Sequence, residues 1–173
     1  MSLFADTLRA LMGCIDYSRE DWLEYLFIRV IGETDFRKKH LKRMDAWLAD
    51  DALPRPHDLN MVWLLAKDRY AKESVAEREA FHRMALMRAT EVSPLGNQML
   101  PCVWVYMRRL AFDALTSRLA KLNQQERGAL LEKIYPPETD LELLLKRHGI
   151  TEEVLRGDAV FPKDWEDVPM GPH

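Results

Sequence analysis

The residues of this sequence that could do chemistry are its histidines, its two cysteines and its many carboxylates. Glu79 and His82 have the Glu-x-x-His spacing of a di-iron ligand pair, but that kind of site needs a second such stretch, and the sequence has none. Cys14 and Cys102 lie far from each other and from any histidine at zinc-ligand spacing. The glycines do not cluster as a phosphate-binding loop requires. We therefore predict no metal site, no cofactor and no catalytic residue.

A run of basic residues over 37–43 is the first candidate binding feature. At about 100° per helical residue, Lys38, Lys39 and Lys42 project together, opposite the apolar face, and Arg43 lies at the edge of the group. Such a cluster can bind phosphates or an acidic protein surface, or it can be an ordinary solvated helix face. No aromatic residue interleaves the lysines to stack on bases. Nucleic-acid binding is thus only one of the interpretations of this patch.

The second candidate is a set of charges on helix faces that the apolar pattern predicts to be dry. Arg108 stands within a stripe of tryptophan, alanine and leucine that includes Trp104. Glu24 and Arg29 interrupt an otherwise apolar stretch that begins at Trp22. Because lone buried charges are costly, we expect these charges to form a structural ion pair or to line a central polar pocket that receives a ligand or a partner side chain.

The third candidate is the C-terminal segment, residues 158–173, which its prolines exclude from helical structure. It carries two large apolar anchors, Phe161 and Trp165, among several acidic residues. We expect this tail to dock either on the basic middle of its own chain or on a neighbouring subunit. The predicted division is therefore a helical domain over 1–157 and an extended acidic tail over 158–173.

The elements that position these residues are predicted to be helices throughout, because the apolar residues recur with a period near 3.6. Residues 53–58, with Pro54 and Pro56, are predicted to be an extended linker. A capping box at Ser74 divides two helices, the alternative being one long helix through that residue. The fold class is all-α, a single compact domain of seven to nine helices, predicted over 3–15, 18–32, 34–50, 59–73, 74–90, 98–122, 123–135, 139–149 and 151–156.

Composition sets the remaining limits. The chain has 173 residues with 47% hydrophobic and 31% charged residues, which is a globular balance. Its net charge of −3 combines a positive middle with a negative C-terminal third. No apolar run approaches the roughly 18 residues that a bilayer crossing needs. We expect a soluble cytoplasmic protein without membrane contact.

These observations favour a non-catalytic protein–protein interaction protein: an inhibitor, an immunity-type or adaptor protein, or an assembly subunit. Its partner would be a protein, either a second copy of the chain or a member of a larger assembly. One alternative is a helical nucleic-acid-binding subunit of a larger ribonucleoprotein complex, which the positive middle supports and the overall acidity opposes. A second alternative is an enzyme whose site is too dispersed to be visible in the sequence.

Overall fold

The computed structural model describes residues 3–27, 34–70 and 101–159. Those residues form eight helices and no strand, so the predicted all-α fold class is confirmed. The helix predicted over 74–90 and the tail from residue 160 onward lie outside the described residues. The helices are α1 Leu3–Cys14, α2 Arg19–Phe27, α3 Thr34–Leu48, α4 Pro56–Arg69, α5 Pro101–Leu119, α6 Gln124–Ile134, α7 Leu141–Arg147 and α8 Glu152–Arg156.

Two helix starts carry capping boxes, and both lie where the sequence predicts a helix to begin. Before α2, the Asp21 N–H donates to the Ser18 hydroxyl at 3.1 Å, and the Ser18 N–H donates to the Asp21 carboxylate at 2.6 Å. Before α6, Asn123 and Glu126 make the same reciprocal pair at 3.0 and 2.9 Å. Each capping box satisfies two backbone N–H groups at the helix start or just before it. Both helix starts can therefore be predicted from four consecutive residues of the sequence.

The start of α4 corrects the predicted linker. The sequence pattern places the helix start at Leu59, but α4 begins three residues earlier at Pro56. Arg55, just before it, has an extended backbone, with φ −71° and ψ 157°. A proline fits the first helical position because its missing N–H would have no intrahelical partner there, and its fixed φ already suits a helix.

The start of α7 also differs from the prediction. Asp140, and not Thr139, caps this helix, and its carboxylate accepts the Leu143 N–H at 2.9 Å. The end follows the prediction, because Gly149 adopts a left-handed φ of 67°. The Ile150 N–H then donates to the Leu145 carbonyl at 2.9 Å, which turns the chain back onto the helix that it has just left.

The core is one apolar cluster to which every described helix contributes at least one buried residue. Its most extensive helix–helix contact joins α1 to α5, whereas α2 packs against α3 and α4. All six residues of α1 from Leu3 to Leu8 are buried, including the polar Asp6 and Thr7, so this helix is a central part of the core.

A helix that crosses a bilayer needs about 20 predominantly apolar residues. None of the described helices is both long enough and apolar enough to cross a membrane.

Candidate functional site

The basic run of α3 divides between the surface and the interior. Lys38, Lys39 and Lys42 are exposed, and we call these three residues the lysine face. Met44 and Trp47, on the other side of the helix, are fully buried. The burial of that side sets the rotation of α3 about its axis, so the three ammonium groups point away from the core.

Arg43 does not join the lysine face, because its guanidinium group turns toward a buried carboxylate. Its Nη1 lies 3.2 Å from Asp58 Oδ1 and 3.4 Å from His40 Nδ1. Arg55 binds the same carboxylate, with its Nε 2.8 Å from Oδ2. Asp58 is thus a fully buried acid held by two arginines, one from α3 and one from the residue before α4.

The ionisation of these groups follows from that geometry. Burial raises the pKa of Asp58, but hydrogen bonds from Arg55 and the positive charges of Arg43 and Arg55 outweigh it and bring the pKa below its ordinary 3.8. Burial lowers the pKa of His40, and the Arg43 charge lowers it further. At neutral pH this cluster therefore holds a carboxylate and a neutral imidazole.

Arg108, which the leucine stripe places on a dry face, is only 1% exposed. It lies on the face of α5 that also buries Ala111, Leu115 and Leu119. Burial lowers the pKa of the Arg108 guanidinium to about 10, still well above neutral. The helix thus carries a charged group within the core, next to the imidazole of His148, whose pKa the Arg108 charge lowers.

The groups near Arg108 come from the two ends of the chain. The His148 ring is fully buried and stacks on Phe112 with 3.9 Å between ring centroids. Its Nε2 lies 3.7 Å from Oδ2 of Asp6, a fully buried residue of α1, and Arg147 Nη1 lies 3.6 Å from the same oxygen. Burial lowers the pKa of His148 more than the Asp6 carboxylate raises it. The imidazole is therefore neutral at physiological pH.

His148, whose pKa the Arg108 charge lowers, is a neighbour that the sequence does not predict for Arg108. Glu24 is exposed, so the expectation of a dry environment does not hold for it; α2 packs its other side onto α3 and α4. Trp22 is fully buried, but it packs between His40 and Trp47, with ring centroids 5.8 and 5.2 Å away. Neither residue joins Asp6 and His148.

Four predicted site residues cannot be placed in this way. Trp104 belongs to α5, but its side chain is outside the described part of the chain. Arg29 and the two tail anchors, Phe161 and Trp165, also lie outside it. The central pocket as predicted and the docking of the tail therefore stay predictions.

Sequence reasoning missed Asp6, Asp58 and His148, which hold the buried charges together. Asp6 gave a weak signal, since most of its neighbours in the helix are apolar or small, although Arg9 stands three residues away. Asp58 gave only the local pair with Arg55, because Arg43 belongs to another helix. His148 gave no signal, because its partners are distant in sequence. Among the described residues, no group of three or more histidine, cysteine, aspartate or glutamate side chains is arranged to hold a metal ion.

Comparisons with known proteins add no relative. No protein-family model, no curated protein and no solved structure matches this chain.

Proposed function

We propose that this chain is a non-catalytic protein–protein interaction protein that docks an acidic surface of its partner on the lysine face. An inhibitor, an immunity-type or adaptor protein, and an assembly subunit all act in this way. The single observation that carries the proposal is the isolation of Lys38, Lys39 and Lys42 from the carboxylates that the structure describes. Within the described residues, no ion pair joins any of the three to an acid.

Not all surface cations of the described helices are isolated in this way. Several of those are paired, namely Arg19 with Asp45, Arg69 with Asp21 and Arg127 with Glu152. A chain of net charge −3 has enough acidic residues to pair most of its cations. The lysine face is thus a local concentration of positive charge on an acidic protein, which favours a complementary acidic partner.

The spacing of the lysines adds a thermodynamic argument. Lys38 and Lys42 are four residues apart on one helix, and like charges at that spacing destabilise a helix by about 0.2–0.5 kcal/mol. A partner carboxylate placed between them would remove this repulsion. Because Arg43 is bound to Asp58, the lysine face presents only ammonium groups. These act as compact point charges and lack the planar guanidinium geometry that binds a carboxylate through two hydrogen bonds.

The partner surface is acidic in this proposal, and a second copy of the chain is one source of it. The exposed residues of α7, α8 and their flanks include many carboxylates, among them Glu142, Glu152 and Glu153. Head-to-tail contact between this surface and the lysine face of a neighbour would build an assembly. We place the interaction in the cytoplasm, because two distant cysteines suit a reducing compartment.

The test compares two charge reversals of equal size. In the first variant Lys38 and Lys42 are changed to glutamate, and in the control Lys121 and Lys146, which are also exposed, are changed in the same way. Partners captured from the source cell are purified, and their association with each variant is measured at several salt concentrations. We expect the first variant to associate at least about tenfold more weakly, mainly through a slower association rate, and the control to behave as wild type.

Two results would count against the proposal. Equal binding by both variants would show that the lysine face is not the docking surface. Capture of nuclease-sensitive material, with binding that falls steeply as salt rises, would favour the nucleic-acid-binding alternative. If the partner is a second copy of the chain, the apparent molecular mass in sedimentation equilibrium should rise with protein concentration. The charge reversal at Lys38 and Lys42 should abolish that rise.

A further inference from the structure

A cavity of about 370 Å³ opens between α1, α3, α5 and α6, away from the lysine face. Three cationic side chains line it, one from each of three helices: Arg9 from α1, Arg118 from α5 and Lys133 from α6. No carboxylate is among the described residues that line it. Its volume is in the range of small-molecule sites, at the lower end.

The two arginines are held in place by backbone carbonyl groups. Arg118 Nη1 donates to the Gly13 carbonyl at 2.9 Å, and Arg9 Nη2 donates to the Leu48 carbonyl. A guanidinium group has five N–H donors, so the anchoring of Arg118 engages only a part of its hydrogen-bonding capacity. Anchored guanidinium groups lose little side-chain entropy when they bind an anion, which favours recognition of phosphate or carboxylate.

Tyr17 also lines the cavity, but its hydroxyl oxygen is enclosed by protein and does not reach the cavity surface, so it offers no donor to a molecule bound there.

The rest of the lining is apolar. Met12, Leu130 and Ile134 form part of the wall together with the stem of the lysine. An inorganic ion would leave these side chains uncovered, whereas an organic substituent would bury them. The lining thus suits a molecule with a charged end and an apolar body.

From the cationic and the apolar parts of this lining we infer that the cavity binds a small phosphate monoester with an apolar substituent. Its phosphate lies among Arg9, Arg118 and Lys133. Arg9 Nη1 already lies 4.0 Å from the Asp6 carboxylate, and the other two cations match the two negative charges of a phosphate monoester. The inference does not depend on the proposed docking surface, because the two sites share no residue.

The probe is phenyl phosphate, titrated into the full chain by isothermal calorimetry at low salt. Benzyl alcohol, which has the ring without the charge, and benzoate, which has one negative charge, serve as comparison compounds. We expect saturable binding of phenyl phosphate, weaker binding of benzoate and none of benzyl alcohol. Benzoate binding as tightly as phenyl phosphate would overturn the choice of phosphate, and benzyl alcohol binding equally would overturn an anion site altogether.

Two variants and one control then locate the binding. Lys133→Met should weaken the association of phenyl phosphate by about tenfold or more, since hydrogen bonds to charged groups contribute that much. Arg118→Met should weaken it likewise, and the melting temperature of this variant is measured beside it, because the variant also loses the hydrogen bond to the Gly13 carbonyl. Lys121→Met, at an exposed position outside the cavity, should bind as wild type. Absence of saturable binding at millimolar phenyl phosphate, or wild-type affinity in both cavity variants, would overturn the inference.

Discussion

Gly13 lies in the last turn of α1, where the helix comes close to Ile134 of α6. A Cβ atom added at Gly13 would stand 2.6 Å from Ile134 Cγ1, 3.0 Å from Cδ1 and 3.3 Å from Cγ2. Carbon atoms in a protein core are separated by about 3.5–4.0 Å at their optimum, so Ile134 would have to move by roughly 1 Å. We therefore predict that Gly13→Ala destabilises the protein.

Two opposing effects set the magnitude. Alanine is favoured over glycine within a helix by about 1 kcal/mol. Overpacking of a core contact costs about 1–3 kcal/mol. The free energy of unfolding should thus fall by about 0–2 kcal/mol, and each kcal/mol lowers the melting temperature by roughly 2–4 °C for a chain of this size.

The chain offers a matched control and a way to remove the clash. Gly128 lies inside α6, and no heavy atom stands within 4 Å of the place that a new methyl group would take, so Gly128→Ala should stabilise by about 1 kcal/mol. Ile134→Ala removes all three atoms that a methyl group at Gly13 would meet. In that background Gly13→Ala should also stabilise, which reverses the sign of its effect.

The assay is chemical denaturation of the wild type, the two single variants at Gly13 and Ile134, and the double variant. The packing predicts a coupling energy of about 1–3 kcal/mol between the two sites. If Gly13→Ala stabilises as much as Gly128→Ala in both backgrounds, with a coupling below about 0.5 kcal/mol, the close approach of α1 to α6 is refuted.

Three further predictions concern the buried charges. Asp58→Asn should lower the free energy of unfolding by about 3 kcal/mol in chemical denaturation, because it leaves the half-buried Arg43 without its carboxylate. As a control, Asp51→Asn at an exposed position should change the free energy of unfolding by less than about 0.5 kcal/mol. Equal effects of the two variants would contradict a structural role for Asp58. The pKa of His148 is lowered in the folded state, so the unfolded chain binds the proton more readily and the free energy of unfolding should fall as the pH drops below 6.5. Arg108→Met should raise the pKa of His148 in an NMR titration, since the Arg108 charge helps to lower it, and an unmoved titration curve would show that the two groups are not neighbours.

Several features of the fold were predictable from short stretches of sequence. The capping boxes at Ser18 and Asn123 and the glycine stop at Gly149 each involve residues within one or two helical turns. Their physical cause is local, since a helix end is decided by which nearby groups satisfy its free N–H and C=O groups. The start of α4 was predicted less well, because a proline both ends an extended segment and begins a helix.

The partners of the charged residues were not predictable in the same way. A helical pattern shows which side of α5 carries Arg108, but it gives no information on which segment packs against that side. The sequence favours Glu24 and Arg29, on another apolar helix. The structure exposes Glu24, does not describe Arg29, and brings His148 close enough for the Arg108 charge to lower its pKa. For the same reason the run of basic residues on α3 predicts one patch, whereas Asp58 draws Arg43 into the interior and separates it from the lysines.

The sequence by itself determined the all-α class, most helix ends and the exposed and dry sides of the main helices, because periodicity and capping depend on residues within about two helical turns of each other. The tertiary structure decided that α1 packs on α5, that Asp6 and His148 meet in the core, and that three cations from different helices surround one cavity. These contacts depend on how whole helices fill space against one another. Side chains that are far apart in the chain become neighbours only through that packing, so no local spacing encodes them.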